Sequence, residues 1–176
     1  MRYIDKIKAF YPLETWEDNI VLRKWGEKVE VFDRELSEFA EVLMDLLWEH
    51  DGVGLAAPQI GKNIALIWTT QWKKMPKGKH IENDFLGETV LVNPVVVEKS
   101  KEMQKSEEAC LSVPWIQWYV WRHKWVVVEY QNLKGKEMKQ KYDGFNACII
   151  QHEIDHLNGI LFTDKLIPWT RKEVKD

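Results

Sequence analysis

Apolar positions recur at helical spacing between Asp33 and His50, where Phe32, Leu36, Phe39, Leu43, Leu46 and Leu47 form one stripe. Asp33 is a suitable N-cap and Gly52 lies just past the last apolar position, so the pattern predicts an amphipathic helix in the N-terminal part of the chain. Two shorter runs follow, Ile64 to Thr70 and Val90 to Glu98. Both are rich in β-branched residues, which favours strands. Between them, Gln71 to Glu88 carries Lys73, Lys74, Lys77, Lys79 and His80 together with Pro76, Gly78 and Gly87, and reads as an exposed loop.

Trp125 to Tyr130 and Lys136 to Tyr142 flank Asn132-Leu133-Lys134-Gly135, the pattern of an antiparallel hairpin with a four-residue turn. Gly144 precedes a second helical pattern, Phe145 to Leu157, which stops at Asn158-Gly159. Ile160 to Leu166 makes a short apolar piece, and Thr170 to Asp176 is a charged tail with little to hold it down. Nothing in the 176 residues repeats, and no Gly/Ser/Pro-rich stretch divides them. We therefore expect a single domain over residues 1–176 of α+β class, with antiparallel strands packed around the second helix.

Lysine and arginine number 25 against 28 aspartates and glutamates, for a formal net charge of −3. No broad basic field exists to grip nucleic acid. Met1 to Phe10 mixes Arg2, Asp5, Lys6 and Lys8 with single apolar residues, unlike a secretory leader, and no apolar run is long enough to span a bilayer. The expectation is a soluble cytoplasmic protein, with Cys110 and Cys148 as reduced thiols.

In Gln151-His152-Glu153-Ile154-Asp155-His156 the two histidines stand four apart, which on a helix places both rings on one face within reach of one metal ion. Glu153 lies beside that pair, where it suits a group that hydrogen-bonds a reacting water. Such spacing also occurs on ordinary solvated helices. Here Ile149, Ile150 and Leu157 flank the motif and point to an interior helix, in which two histidines and a glutamate need polar partners.

Catalytic mononuclear sites usually have three protein ligands. Downstream of His156 the chain offers only Asp164, Glu173 and Asp176, and upstream Glu107-Glu108-Ala109-Cys110-Leu111-Ser112 presents a thiol. Three functions remain open on these residues: a hydrolase using Cys110, an HExxH metallopeptidase with another third ligand, and a structural zinc module.

Three separated blocks resemble the peptide deformylase family: Gly52-Val53-Gly54-Leu55-Ala56-Ala57-Pro58-Gln59-Ile60-Gly61, Glu108-Ala109-Cys110-Leu111-Ser112 and His152-Glu153-Ile154-Asp155-His156. The resemblance is nearly continuous from the first block to Leu166. It implies that Cys110, as a thiolate, joins His152 and His156 as metal ligand, so that the second helix is the central metal-binding element. It further implies one divalent ion, Fe(II) in the cell, in a site that also suits Zn, Ni or Co.

The activity implied is removal of the N-formyl group from the amino-terminal methionine of newly made polypeptides, with release of formate. Glu153 would carry the proton, while Gln59 and the Leu111 N–H would donate to the scissile carbonyl oxygen. The peptide would lie extended against Val53 and Ala109 beside Gly54, with its first side chain in a pocket lined by Phe145 and Ile149. Partners are then N-formylated nascent peptides met transiently at the ribosome, by a monomer.

Two features depart from the family pattern. Ala109 stands where many relatives have glycine, and Trp115-Ile116-Gln117-Trp118-Tyr119-Val120-Trp121 replaces smaller residues. Ten tryptophans are several-fold above ordinary usage. Alternate positions of this run would put aromatic side chains on one face of a strand or flap, mostly against the core, with Trp115 or Trp118 as candidates for the cleft rim. His50, His80 and His123 lack ligand-like spacing, Cys148 reads as a packing residue, and Asp155 and Arg122 read as structural, Arg122 being placed to pair with Glu108.

Overall fold

Residues 11–74, 84–168 and 172–173 are described in the computed structural model of the chain. Met1 to Phe10, which bear on the expectation about a leader, and His80 lie outside them.

Helix α1 (Arg34–Glu49) starts where the sequence places it, because Asp33 Oδ1 accepts the Leu36 N–H at 2.9 Å. It ends at His50, whose N–H bonds Leu46 O at 3.1 Å. Its stripe of Leu36, Phe39, Leu43, Leu46 and Leu47 is buried.

Strands β1 (Gly54–Ala56), β2 (Leu66–Trp72), β3 (Phe85–Lys99), β6 (Trp125–Gln131) and β7 (Glu137–Asp143) form one antiparallel sheet in the order β1-β2-β3-β6-β7. Consecutive residues in its middle face opposite ways. Leu55, Leu66 and Val92 join the cluster under α1, while Ala56, Ile67 and Leu91 join a second cluster with Ala147, Ile150 and Leu157 of helix α2 (Gly144–Leu157). The sheet thus carries one helix on each face.

A second sheet pairs β4 (Met103–Cys110), β5 (Val113–His123) and the two-residue β8 (Lys172–Glu173) in the order β4-β5-β8. Its inner face and the chain around Phe162 enclose a third cluster, with Trp118, Val120, Leu161 and Phe162. Helix α2 touches strands of both sheets. Two side-chain amides clamp it there. Asn146 exchanges hydrogen bonds with the Trp72 backbone at 2.9 and 2.8 Å, and Gln151 does the same with the His123 backbone at 3.0 and 2.9 Å. No helix among the described residues is long and apolar enough to cross a membrane.

Three expectations need correction. The stretch 71–88 is not all loop: β2 runs on to Trp72 and β3 begins at Phe85, pairing Gln71 with Gly87 and Thr70 with Glu88, while residues 75–83 lie outside the description. The pairing rests on backbone groups, which the lysines and Gly87 do not remove. Within the tail 170–176, Lys172 and Glu173 are held by pairing with Gln117 and Ile116. The alternate aromatic positions of β5, Trp115, Tyr119 and Trp121, also do not pack on the core. Trp118 is buried beside Phe162, whereas Trp115 and Trp121 are 60% and 52% exposed.

Candidate metal centre

Strand β4 is polar on both sides, so apolar periodicity does not mark it. Its inward positions alternate as Ser106, Glu108 and Cys110, all buried, and they face α2 across the base of a cleft of about 400 Å³. His152 and His156 lie one helical turn apart on α2 and are also buried.

One candidate ligand atom from each of Cys110, His152 and His156 lies within 4.8 Å of the others. The Nε2 atoms of the two histidines are 3.3 Å apart, and Cys110 Sγ is 3.3 Å from His156 Nε2. Two nitrogens held at ~2.0–2.1 Å from one tetrahedral ion stand ~3.3 Å apart, so the donor set fits a single cation of zinc or iron size. The donors themselves, one sulfur and two imidazoles, suit a borderline-soft divalent metal.

Charge around the ligands is ordered by a chain of ion pairs that runs from the buried ligands to the exposed Lys165. His152 Nδ1 is 2.9 Å from Glu108 Oε2, which leaves Nε2 for the metal. Arg122 Nε and Nη2 grip the two oxygens of Glu108 at 2.8 Å, and its third nitrogen, Nη1, reaches Asp155 at 2.5 Å. Lys165 closes the chain on Asp155 at 2.6 and 2.7 Å. Burial raises the Glu108 pKa, but hydrogen bonds from Arg122 and with His152 outweigh it and hold the carboxyl at about 2. Burial pushes the His156 pKa well below the ordinary imidazole range, with neighbouring His152 acting in the same direction.

Glu153 is buried, with no hydrogen-bond partner for Oε2 among the described residues. Loss of solvent is the main cause that pushes its pKa up to about 7. It faces Gly54, where the absence of a side chain leaves space for the carboxyl group. Gln59 is fixed from two sides: its Oε1 accepts the Ala56 N–H at 2.8 Å, and its Nε2 donates to Ser112 Oγ at 3.1 Å and lies 3.6 Å from Cys110 Sγ.

Val53, Gly54, Gln59, Ala109, Cys110, Leu111, Phe145, Ile149, His152 and Glu153 all line this one cleft; His156 lies beneath it. Trp115 and Trp118 do not line it. The rim position of β5 belongs to Gln117, because alternation along the strand turns Trp118 inward. Cys148 lines the wall, and His123 is occupied by Ser100 O at 2.7 Å. Glu108 is the functional neighbour that sequence reasoning missed as the partner of His152. Its spacing of two from Cys110 on a strand is the signal that places both on one face.

The downstream acid that a metallopeptidase would need is not offered by Asp164. That carboxylate is held by Arg23 at 2.5 Å and accepts the Leu161 N–H at 2.9 Å. A cysteine sulfur and two imidazoles with a carboxyl group at their side define the class of mononuclear metal-dependent hydrolases.

Comparison with known proteins specifies the family. Residues 10–172 match Polypeptide deformylase. The peptide deformylase of Finegoldia magna is 37% identical over 161 residues, which are 90% of this chain and 91% of that protein. Among solved structures, the peptide deformylase of Thermotoga maritima superposes with a TM-score of 0.78 at 34% identity, over 90% of this chain and 98% of that one. A class I type b peptide deformylase from Acinetobacter baumannii, with Met-Ala-Ser bound, gives 0.81 at 33% identity, over 89% and 98%. The chain belongs to the polypeptide deformylase family.

Proposed function

We propose that this chain, acting as one catalytic domain, hydrolyses the formyl amide at the amino terminus of new polypeptides that begin with N-formylmethionine, releasing formate. The observation that carries the reading is the meeting of Cys110, His152 and His156 beside Glu153, whose Oε2 has no hydrogen-bond partner among the described residues, at the base of an open cleft.

Cys110, His152 and His156 would hold a divalent ion, which would supply Lewis acidity and make hydroxide available near neutral pH. Glu153 accepts the proton of the attacking water and delivers it to the departing amine nitrogen. Its raised pKa suits both halves of that transfer. One amide proton of Gln59 is committed to Ser112, and the other, directed toward Cys110 Sγ, turns to the carbonyl oxygen as charge develops, together with the N–H of Leu111. Backbone groups of Val53 and Ala109 pair with an extended peptide, while Phe145 and Ile149 wall the pocket for its first side chain.

Fe(II) is the ion this reading assigns in the cell, with Zn, Ni and Co compatible with the same donors. The same reading makes the protein a cytoplasmic monomer that meets nascent chains transiently at the ribosome. The test is appearance of a free amino terminus from formyl-Met-Ala-Ser against acetyl-Met-Ala-Ser, with formate measured for the former, with and without a chelator. A free amine and formate from the formyl peptide, no free amine from the acetyl peptide, and loss of both products on chelation are expected. Absence of formate from metal-loaded protein would sink the reading.

A further inference from the structure

Phe162 and Lys165 stand at the two ends of one short helical turn, Phe162–Lys165, that follows α2 in the chain. The turn is tied down between them, since Asp164 accepts the Leu161 N–H at 2.9 Å and pairs with Arg23. Two lines of contact run from this turn, and both end on the imidazole of His152.

The first is direct. The buried Phe162 ring stacks on the His152 ring, with centroids 5.9 Å apart and planes at 28°, and Trp118 packs edge-on against Phe162. The second runs through charges. Lys165 Nζ bonds both oxygens of Asp155 at 2.6 and 2.7 Å, and Asp155 Oδ2 is shared with Arg122 Nη1. Arg122 then holds Glu108, whose Oε2 lies 2.9 Å from His152 Nδ1. Two cations thus serve two carboxylates. Lys165 is the outermost of the four, with 38% of its side chain exposed against 3% for Arg122. Without it, one buried guanidinium would have to serve both carboxylates and would be drawn between them.

We propose that Lys165 is a positioning residue for the metal ligand His152, fixing the direction of its ring through Asp155, Arg122 and Glu108 and by pinning the turn that seats Phe162 on it. This inference rests on the reading of Cys110, His152 and His156 as a metal centre. Its sign is distinctive. If only charge mattered, removing a cation would leave the site more negative and would tighten its hold on a divalent ion. Positioning predicts the reverse, because an imidazole with a loosened ring no longer directs Nε2 at the ion.

The experiment measures Zn affinity by competition with a chelating dye, and the visible spectrum of the Co(II)-loaded protein, for full-length wild type, Lys165→Met and Lys165→Arg. Lys165→Met keeps the long apolar stem and drops the charge. It should weaken Zn binding about three- to tenfold, less than the loss of a group that touches the ligand itself, and should alter the Co(II) bands that report ligand geometry. Lys165→Arg can still bond both oxygens of Asp155 and should restore the affinity to within about twofold and the wild-type spectrum with it. Unchanged or tighter Zn binding in Lys165→Met, or no restoration by Lys165→Arg, overturns the proposal. A wild type that holds no equivalent of metal would overturn it together with the metal-centre reading, whereas failure of the proposal alone leaves wild-type binding intact.

Discussion

Gly54 and Glu153 leave no room between them for a methyl group: a Cβ on Gly54 would stand 2.5 Å from Glu153 Oε1 and 2.8 Å from both its Cγ and Cδ. The glycine is therefore a condition for the position of the acid, although it carries no chemistry. Gly54→Ala should displace the Glu153 carboxyl while the three metal ligands stay in place. The expected result is one equivalent of bound metal with kcat lowered by about 10²-fold or more, the low end of what a misplaced general base costs. Metal analysis beside steady-state kinetics checks it.

Glu153→Gln removes the proton carrier and keeps the shape. Metal content should be unchanged and kcat should fall by about 10²–10⁴-fold. Equal activity in this variant would take Glu153 out of the mechanism.

Glu108 orients His152 from behind, so its effect should appear in metal retention before activity. Glu108→Gln is expected to weaken metal binding about 10–100-fold, read by competition with a chelating dye. It also leaves Arg122 buried with only Asp155 as a charged partner, which should lower the thermal midpoint.

The parts of the fold visible in the sequence were those whose pattern reports burial on one side. Helix α1 and the β6–β7 hairpin are of this kind, and both begin and end within a residue or two of their sequence boundaries. Strand β4 was illegible because its inner face is built from Ser106, Glu108 and Cys110, chosen for the site and not for an apolar core. The first turn of β3 was hidden by Gly87 and Glu88, whose backbone pairs with β2 regardless of side chain. At the site, helical spacing marked His152, Glu153 and His156, whereas Cys110, Gln59 and Leu111 came from resemblance to a family. The Gly54–Glu153 contact joins residues 99 positions apart and leaves no local trace.

Trp115 holds a left-handed backbone with φ 68° although it has a side chain, and that side chain is 60% exposed. Such a conformation costs about 1–2 kcal/mol outside glycine, and little burial offsets it. Trp115→Gly should consequently raise the denaturation midpoint, with a gain of up to about 1 kcal/mol after the loss of chain stiffness. Because Trp115 does not line the cleft, its replacement should leave the preference among formyl-Met peptides unaltered.

The central claim is that Cys110 joins His152 and His156 on one ion that the hydrolysis requires. The direct measurement is formate release from formyl-Met-Ala-Ser as anaerobically prepared apoprotein is titrated with Fe(II) or Zn, in wild type and in Cys110→Ala. Activity in the wild type should rise linearly and stop at one equivalent, while Cys110→Ala should bind the metal weakly and release no formate above background. Full activity and one tightly held equivalent in Cys110→Ala would contradict the account.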